Sequence, residues 1–169
     1  MKRKNIVLIG MPGAGKSTIG VVLAKRLGYK FVDSDLVIQE KEGKLLHELI
    51  SEHGIEGFWK IENDVNESLN VSNCVIATGG SAIYGAAAMK HLSEIATIVY
   101  LQIPEEELEL RLGDLNARGV TLKEGQTLKD LYKERSPLYE KYADIIIDCS
   151  DTPIWKLATE IERKCQNTN

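Results

Sequence analysis

The segment Gly10-Met11-Pro12-Gly13-Ala14-Gly15-Lys16-Ser17-Thr18 constrains this chain more than any other. It has the spacing GxxxxGK[ST], and it follows a short apolar run, Asn5 to Ile9, and precedes a stretch of helical period, Ile19 to Leu27. Glycines at those positions let the backbone curl so that successive N–H groups point inward, and the helix that follows adds the positive end of its dipole. A strand, such a loop and a helix in that order form a cradle for phosphate oxygens. Gly13, Ala14, Gly15, Lys16, Ser17 and Thr18 are therefore the candidate nucleotide-binding residues. Lys16 is expected to reach the β- and γ-phosphates, and the Ser17 hydroxyl to ligate Mg²⁺. No NKxD or DxxG sequence for guanine and its switch occurs, so ATP is the expected nucleotide.

Further short runs rich in Val and Ile, at 30–32, 73–77, 97–103 and 144–147, read as buried parallel strands. Segments of helical period alternate with them, ending in the stripe Ile154, Leu157, Ala158, Ile161. That alternation predicts a three-layer α/β fold around a parallel sheet with right-handed crossovers, in one domain over residues 1–169. The polar stretch 113–125, with three glycines and Arg118, has neither period and reads as a lid.

The bulk properties exclude more than they assign. A net charge of -4 gives no general attraction for nucleic acid or anionic lipid. The mainly apolar stretch Val75 to Met89 contains Gly79, Gly80 and Gly85 and is too short for a membrane span. The N-terminus passes from Met1-Lys2-Arg3-Lys4 directly into a strand without the pattern of a signal peptide, which implies a cytoplasmic protein. Cys74, Cys149 and Cys165 have no ligand spacing and read as reduced thiols, and His47, His53 and His91 read as surface residues. A monomer is expected.

Asp33-Ser34-Asp35 follows the second strand and falls on the carboxyl edge of the sheet, where open α/β folds bind ligands. Asp33 is a candidate for the Mg²⁺ shell and Asp35 for the base or orienter of an acceptor hydroxyl. A helix N-cap is the competing reading for one of them. In the helical segment from Ile55 to Leu69, Glu62 shares the inward stripe with Phe58 and Val65, so it needs a cation or a substrate hydroxyl. Arg135 lies on the inward stripe of a helix starting near Leu128 and is the candidate for an anionic substrate group, with direct pairing to Glu62 as the alternative. Ala77-Thr78-Gly79-Gly80-Ser81 closes the third strand with small residues that let a ligand approach the backbone.

Taken in order, the phosphate loop, Asp33-Ser34-Asp35, Phe58 with Glu62 after Gly54, the Gly79-Gly80-Ser81 segment, the arginine-bearing lid and Arg135-Ser136-Pro137-Leu138-Tyr139 resemble the shikimate kinase family over nearly the whole chain. The resemblance implies five parallel strands in the order 2-3-1-4-5 and ATP-dependent phosphorylation of the shikimate 3-hydroxyl. It also implies a substrate-binding region spanning about residues 33–62. By position, Lys16, Asp35 and Arg118 would be catalytic, with Arg118 on the transferring phosphate. Arg111 would lie at the adenine side, and Asp35, Glu62, Gly79, Gly80 and Arg135 around the substrate. Two positions depart from the family pattern within that substrate site: Trp59 stands where an arginine follows the phenylalanine, and Ser81 where a third glycine stands. These departures keep open a kinase of another small polyol or cyclitol. A nucleotide-binding module without turnover is the remaining alternative, opposed by Asp35, Arg118 and Arg135.

Overall fold

Five strands and seven helices alternate along the chain among the residues that the structure, a computed structural model, describes: 5–112 and 120–167. The strands are β1 (Asn5–Ile9), β2 (Lys30–Asp33), β3 (Cys74–Ala77), β4 (Ala96–Gln102) and β5 (Ile145–Asp148). They form one parallel sheet in the order β2-β3-β1-β4-β5, as the family resemblance implied. β1 lies at its centre because every residue of NIVLI is buried, which only a strand covered on both faces and paired on both edges can be. Asn5 anchors the amino edge: its amide donates to the carbonyls of Val71 and Ile95, and its Oδ1 accepts from the N–H of Cys74.

The helices are α1 (Lys16–Leu27), α2 (Ser34–Glu42), α3 (Leu46–Glu67), α4 (Ala86–Ile95), α5 (Glu105–Leu112), α6 (Leu128–Tyr142) and α7 (Ile154–Asn167). Most bury one stripe against the sheet, α7 through Leu157, Ala158 and Ile161 as its spacing predicted. The sequence period placed the third helix from Ile55 to Leu69, whereas α3 begins a full two turns earlier. Gly54, at φ 72° and ψ 176°, breaks the helical backbone between the two parts. A Cβ there would meet nothing within 4 Å, so glycine serves the left-handed φ and not a lack of room. α6 starts on a reciprocal cap, with the N–H of Asp130 donating to Thr127 Oγ1 and that of Thr127 donating to Asp130 Oδ2.

A second, smaller core of Ile38, Leu49, Phe58 and Val65 joins α2 to α3, with Leu46 and Trp59 packed against it. This pair of helices stands at the carboxyl edge of the sheet and carries Asp35 and Glu62. Among the described residues no helix is long and apolar enough to cross a membrane. The three cysteines are buried and form no disulfide, and burial pushes the Cys149 thiol up to about 12 and that of Cys165 up to about 11.

Candidate active site

The carboxyl ends of β1, β2 and β3 terminate level with one another, since Leu8 and Asp33 both register with Ala77. The three segments leaving them therefore meet around a cavity of about 400 Å³. It is lined by Pro12, Gly13, Gly15, Lys16, Ser17 and Thr18 on one side. Asp35, Phe58, Glu62, Gly79, Gly80 and Ser81 line the other.

The phosphate loop has the geometry its sequence promised. Gly10, Gly13 and Gly15 hold φ of 150°, 80° and 92°. A Cβ on Gly10 would stand 2.8 Å from the Leu101 carbonyl and one on Gly13 2.9 Å from Leu112, so neither position admits a side chain. Ala14 is buried, and its N–H donates to the Met11 carbonyl at 3.1 Å, inside the loop. Lys16 is folded into the loop, with Nζ donating to the carbonyls of Gly10 (2.7 Å) and Met11 (2.8 Å). Burial pulls its ammonium down to about 8, against the opposing pull of Asp35. Arg111 in α5 donates to the Gly13 carbonyl at 3.4 Å and pairs with Glu107, which places it against the outer side of the loop.

Asp33 is the N-cap of α2 and also meets the phosphate loop. Its Oδ1 accepts from the N–H of Asp35 at 3.0 Å and caps α2, while its Oδ2 accepts from the Ser17 hydroxyl at 3.0 Å. Ser17 and Asp33 thus form a pair of hard oxygen donors at the start of α1. Among the described residues there is no group of three or more His, Cys, Asp or Glu that could hold a metal. A sparse oxygen pair fits Mg²⁺, which takes one or two protein ligands and completes its octahedron with phosphate and water.

The side of the cavity opposite the loop is built on Asp35 and Glu62. A Cβ on Gly79 would stand 2.6 Å from Glu62 Oε2 and 2.8 Å from Asp35 Oδ1, so the two carboxylates converge on the same point of backbone. Burial raises Asp35 to about 6, with the charge of Asp33 adding to it and Lys16 opposing. Burial raises Glu62 to about 7, opposed by a hydrogen bond from the Ser81 hydroxyl to its Oε1 at 2.6 Å. Among the described residues Glu62 Oε2 has no hydrogen-bond partner and is buried, an orphan acceptor of the kind that a ligand group completes. Direct pairing of Glu62 with Arg135 does not occur; Arg135 bonds to Thr121 and Tyr84. Ser81 is thus the partner of Glu62, a role that its spacing alone did not reveal.

Trp59 and Arg135 do not line the cavity. Trp59 stacks on Tyr84, ring centroids 4.2 Å apart, because its place on α3 faces the turn after β3 and not the phosphate loop. Arg135 lies one layer behind Gly80, where a Cβ would approach its Nη1 to 2.9 Å. The Gly80 carbonyl is held from behind by the Tyr139 hydroxyl at 2.6 Å. Thr121 and Tyr84, which organise Arg135, carried no signal in the sequence. Arg118 and residues 113–119 of the expected lid lie outside the described residues.

Raised carboxylates predict a pH-dependent stability. Glu62 in the folded chain binds its proton up to about 7 and an unfolded glutamate only to about 4.5, so the folded state holds more protons between those values and stability falls as pH rises through them. Glu62→Gln removes that loss. Its melting temperature should match the parent near pH 4.5 and exceed it by several degrees at pH 8, a gap of about 3 kcal/mol. Thermal melts across that range check it; parallel curves would mean that Glu62 is not held in a charge-disfavouring environment.

A parallel α/β sheet carrying a glycine-rich phosphate loop, an oxygen pair suited to Mg²⁺ and a carboxylate-lined acceptor cavity defines a P-loop kinase of small molecules. The shikimate kinase family model matches residues 12–166, and the chain belongs to that family. It is 37% identical over 164 residues to a shikimate kinase of Nitrosococcus oceani, covering 95% of this chain and 86% of that one. It is 36% identical over 165 residues to a shikimate kinase of Francisella tularensis, covering 95% and 94%. The structure of shikimate kinase from Acinetobacter baumannii in complex with shikimate superposes with a TM-score of 0.90 at 34% identity, covering 98% of this chain and 94% of that one.

Proposed function

We propose that this chain transfers the γ-phosphoryl group of ATP to the 3-hydroxyl of shikimate. One observation carries the reading: Lys16 and the pair Asp35–Glu62 line a single cavity, so a nucleotide on the loop and a hydroxylated acceptor on the carboxylates are brought end to end. Bound at the loop, Mg·ATP supplies the phosphoryl group and the metal's positive charge. Gly13, Gly15, Ser17 and Thr18 would hold the nucleotide side, and Ser17 and Asp33 would hold the metal. Lys16 leaves the Gly10 and Met11 carbonyls for the phosphates and balances the charge that spreads over the transferring group. Asp35 accepts the hydroxyl proton, and its raised affinity for protons suits that task. Glu62 Oε2 receives a second hydroxyl of the acceptor, and Arg135 behind Gly80 meets the acceptor's carboxylate. The enzyme acts as a cytoplasmic monomer on this reading.

The test is ADP release measured with shikimate, quinate and a panel of neutral polyols. Saturable turnover with shikimate, at a kcat/KM about ten- to a hundredfold above any acceptor lacking the carboxylate, is expected because a lost bond to a charged group is worth about 1.5–3 kcal/mol. A neutral polyol turned over better than shikimate would replace the acceptor while leaving the chemistry. No acceptor-dependent ADP release would make the chain a silent nucleotide-binding module.

A further inference from the structure

Arg135 is 1% exposed, yet among the described residues none of its hydrogen bonds goes to a carboxylate. Its Nη2 donates to both the carbonyl (3.3 Å) and the hydroxyl (2.9 Å) of Thr121, and its Nε to the Tyr84 hydroxyl (3.4 Å). Thr121 is itself buried, at 5% exposure, and its Oγ1 accepts a further hydrogen bond from Trp59 Nε1 at 3.4 Å. The Trp59 ring stacks on Tyr84, and Tyr84 in turn lies 5.4 Å from the Arg135 guanidinium carbon. On the outer face of Trp59 stands Lys123 Nζ, 5.7 Å from the ring centroid. The segment 120–123 is thereby fastened to α3 and α6 together.

A guanidinium is a rigid planar fork, so fixing two of its nitrogens fixes the direction of the third. With Nη2 and Nε committed to Thr121 and Tyr84, Nη1 is left beside Gly80, on the segment that lines the acceptor cavity. We infer that Thr121 is a positioning residue for the acceptor: its hydroxyl, held by Trp59, sets the plane of Arg135 so that Nη1 is already aimed at the Gly80 side, and only the Gly79–Gly80 segment has to admit the acceptor's anionic group. Trp59 then does not merely lack the charge of an arginine. It exchanges a second cation for a support that orients the remaining one, and orientation supplied before binding is not charged against affinity. The inference rests on the proposal that Arg135 is the anion anchor.

Thr121→Val keeps the side-chain shape and the carbonyl while removing the hydroxyl. The KM for shikimate should rise about tenfold, the lower end of one lost bond to a charged group, with the KM for ATP unchanged and the melting temperature modestly lowered. Thr121→Ser should restore the parent value, as no simple packing role would. Trp59→Phe keeps the stack and loses the N–H; combined with Thr121→Val it should add nothing, since both act on one support. Binding without turnover can be read in a Trp155→Phe background, where Trp59 is the remaining tryptophan and its emission reports shikimate titrations. Arg135→Lys separates the two readings. If it raises the shikimate KM while Thr121→Val leaves it alone, or if serine fails to rescue, or if the two changes add, the positioning role is overturned and the anchor stands. If Arg135→Lys also leaves the KM alone, the anchor falls and the positioning role with it.

Discussion

Lys16→Met is expected to lower kcat by about three orders of magnitude while leaving the fold as stable as before or more so. A single preorganised donor at a water-excluded site is worth about a hundred- to a thousandfold, and a full charge belongs at the upper end. Lys16 is 8% exposed and donates to two loop carbonyls, so its ammonium is already stripped of water and aimed at the loop. The same desolvation makes the charge a burden on the folded chain, which methionine of similar length relieves. Because the ammonium of the free enzyme loses its proton above about 8, parent kcat/KM for ATP should decline along an alkaline limb centred there. Steady-state ADP release and thermal melts decide the matter. A kcat within tenfold of the parent, with only the KM for ATP raised, would reduce Lys16 to a binding group.

The second large effect is expected at Asp35. Asparagine has the same shape and accepts no proton, so Asp35→Asn should cost about a hundred- to ten-thousandfold in kcat, the range of a positioned general base. The sign of the pH dependence follows from the raised carboxylate. Asp35 accepts the hydroxyl proton only when ionised, so parent kcat/KM should fall as pH drops through about 6, well above the usual aspartate range. In the asparagine variant that acid limb should vanish, leaving a low rate without it. A variant that keeps the limb, or more than a tenth of the parent kcat, would move the base to another group, with Glu62 the adjacent candidate.

How much of this was legible before the fold differs from residue to residue. The phosphate loop was fully legible, because its chemistry depends on contiguous backbone and the glycines that permit its curl are local facts. Asp33 and Asp35 were legible as a pair, since the end of a parallel strand places them at the ligand edge. Glu62 was legible as a buried carboxylate through helical period, and it is buried, but its partner was not: Ser81 lies nineteen positions away across the α3–β3 turn. The early start of α3 was hidden because Gly54 interrupts the period with a left-handed residue that the helix nevertheless spans. The reading of Arg135 as inward-facing was right, whereas its neighbours Thr121 and Tyr84 have side chains that announce nothing until they are brought together.

The amino-acid sequence by itself determined the class of chemistry and the sheet that supports it. A nine-residue loop and the short β-branched strands encode their own conformations through local sterics and burial period. It also marked position 59, with Ser81, as a place where this chain parts from its family, but only as a missing charge. The tertiary structure decided what stands there instead. Stacking, the plane of a guanidinium and the hydroxyl that holds it are relations between α3, α6 and the 120–123 segment, distant in the chain and joined only when the sheet brings their ends to one edge.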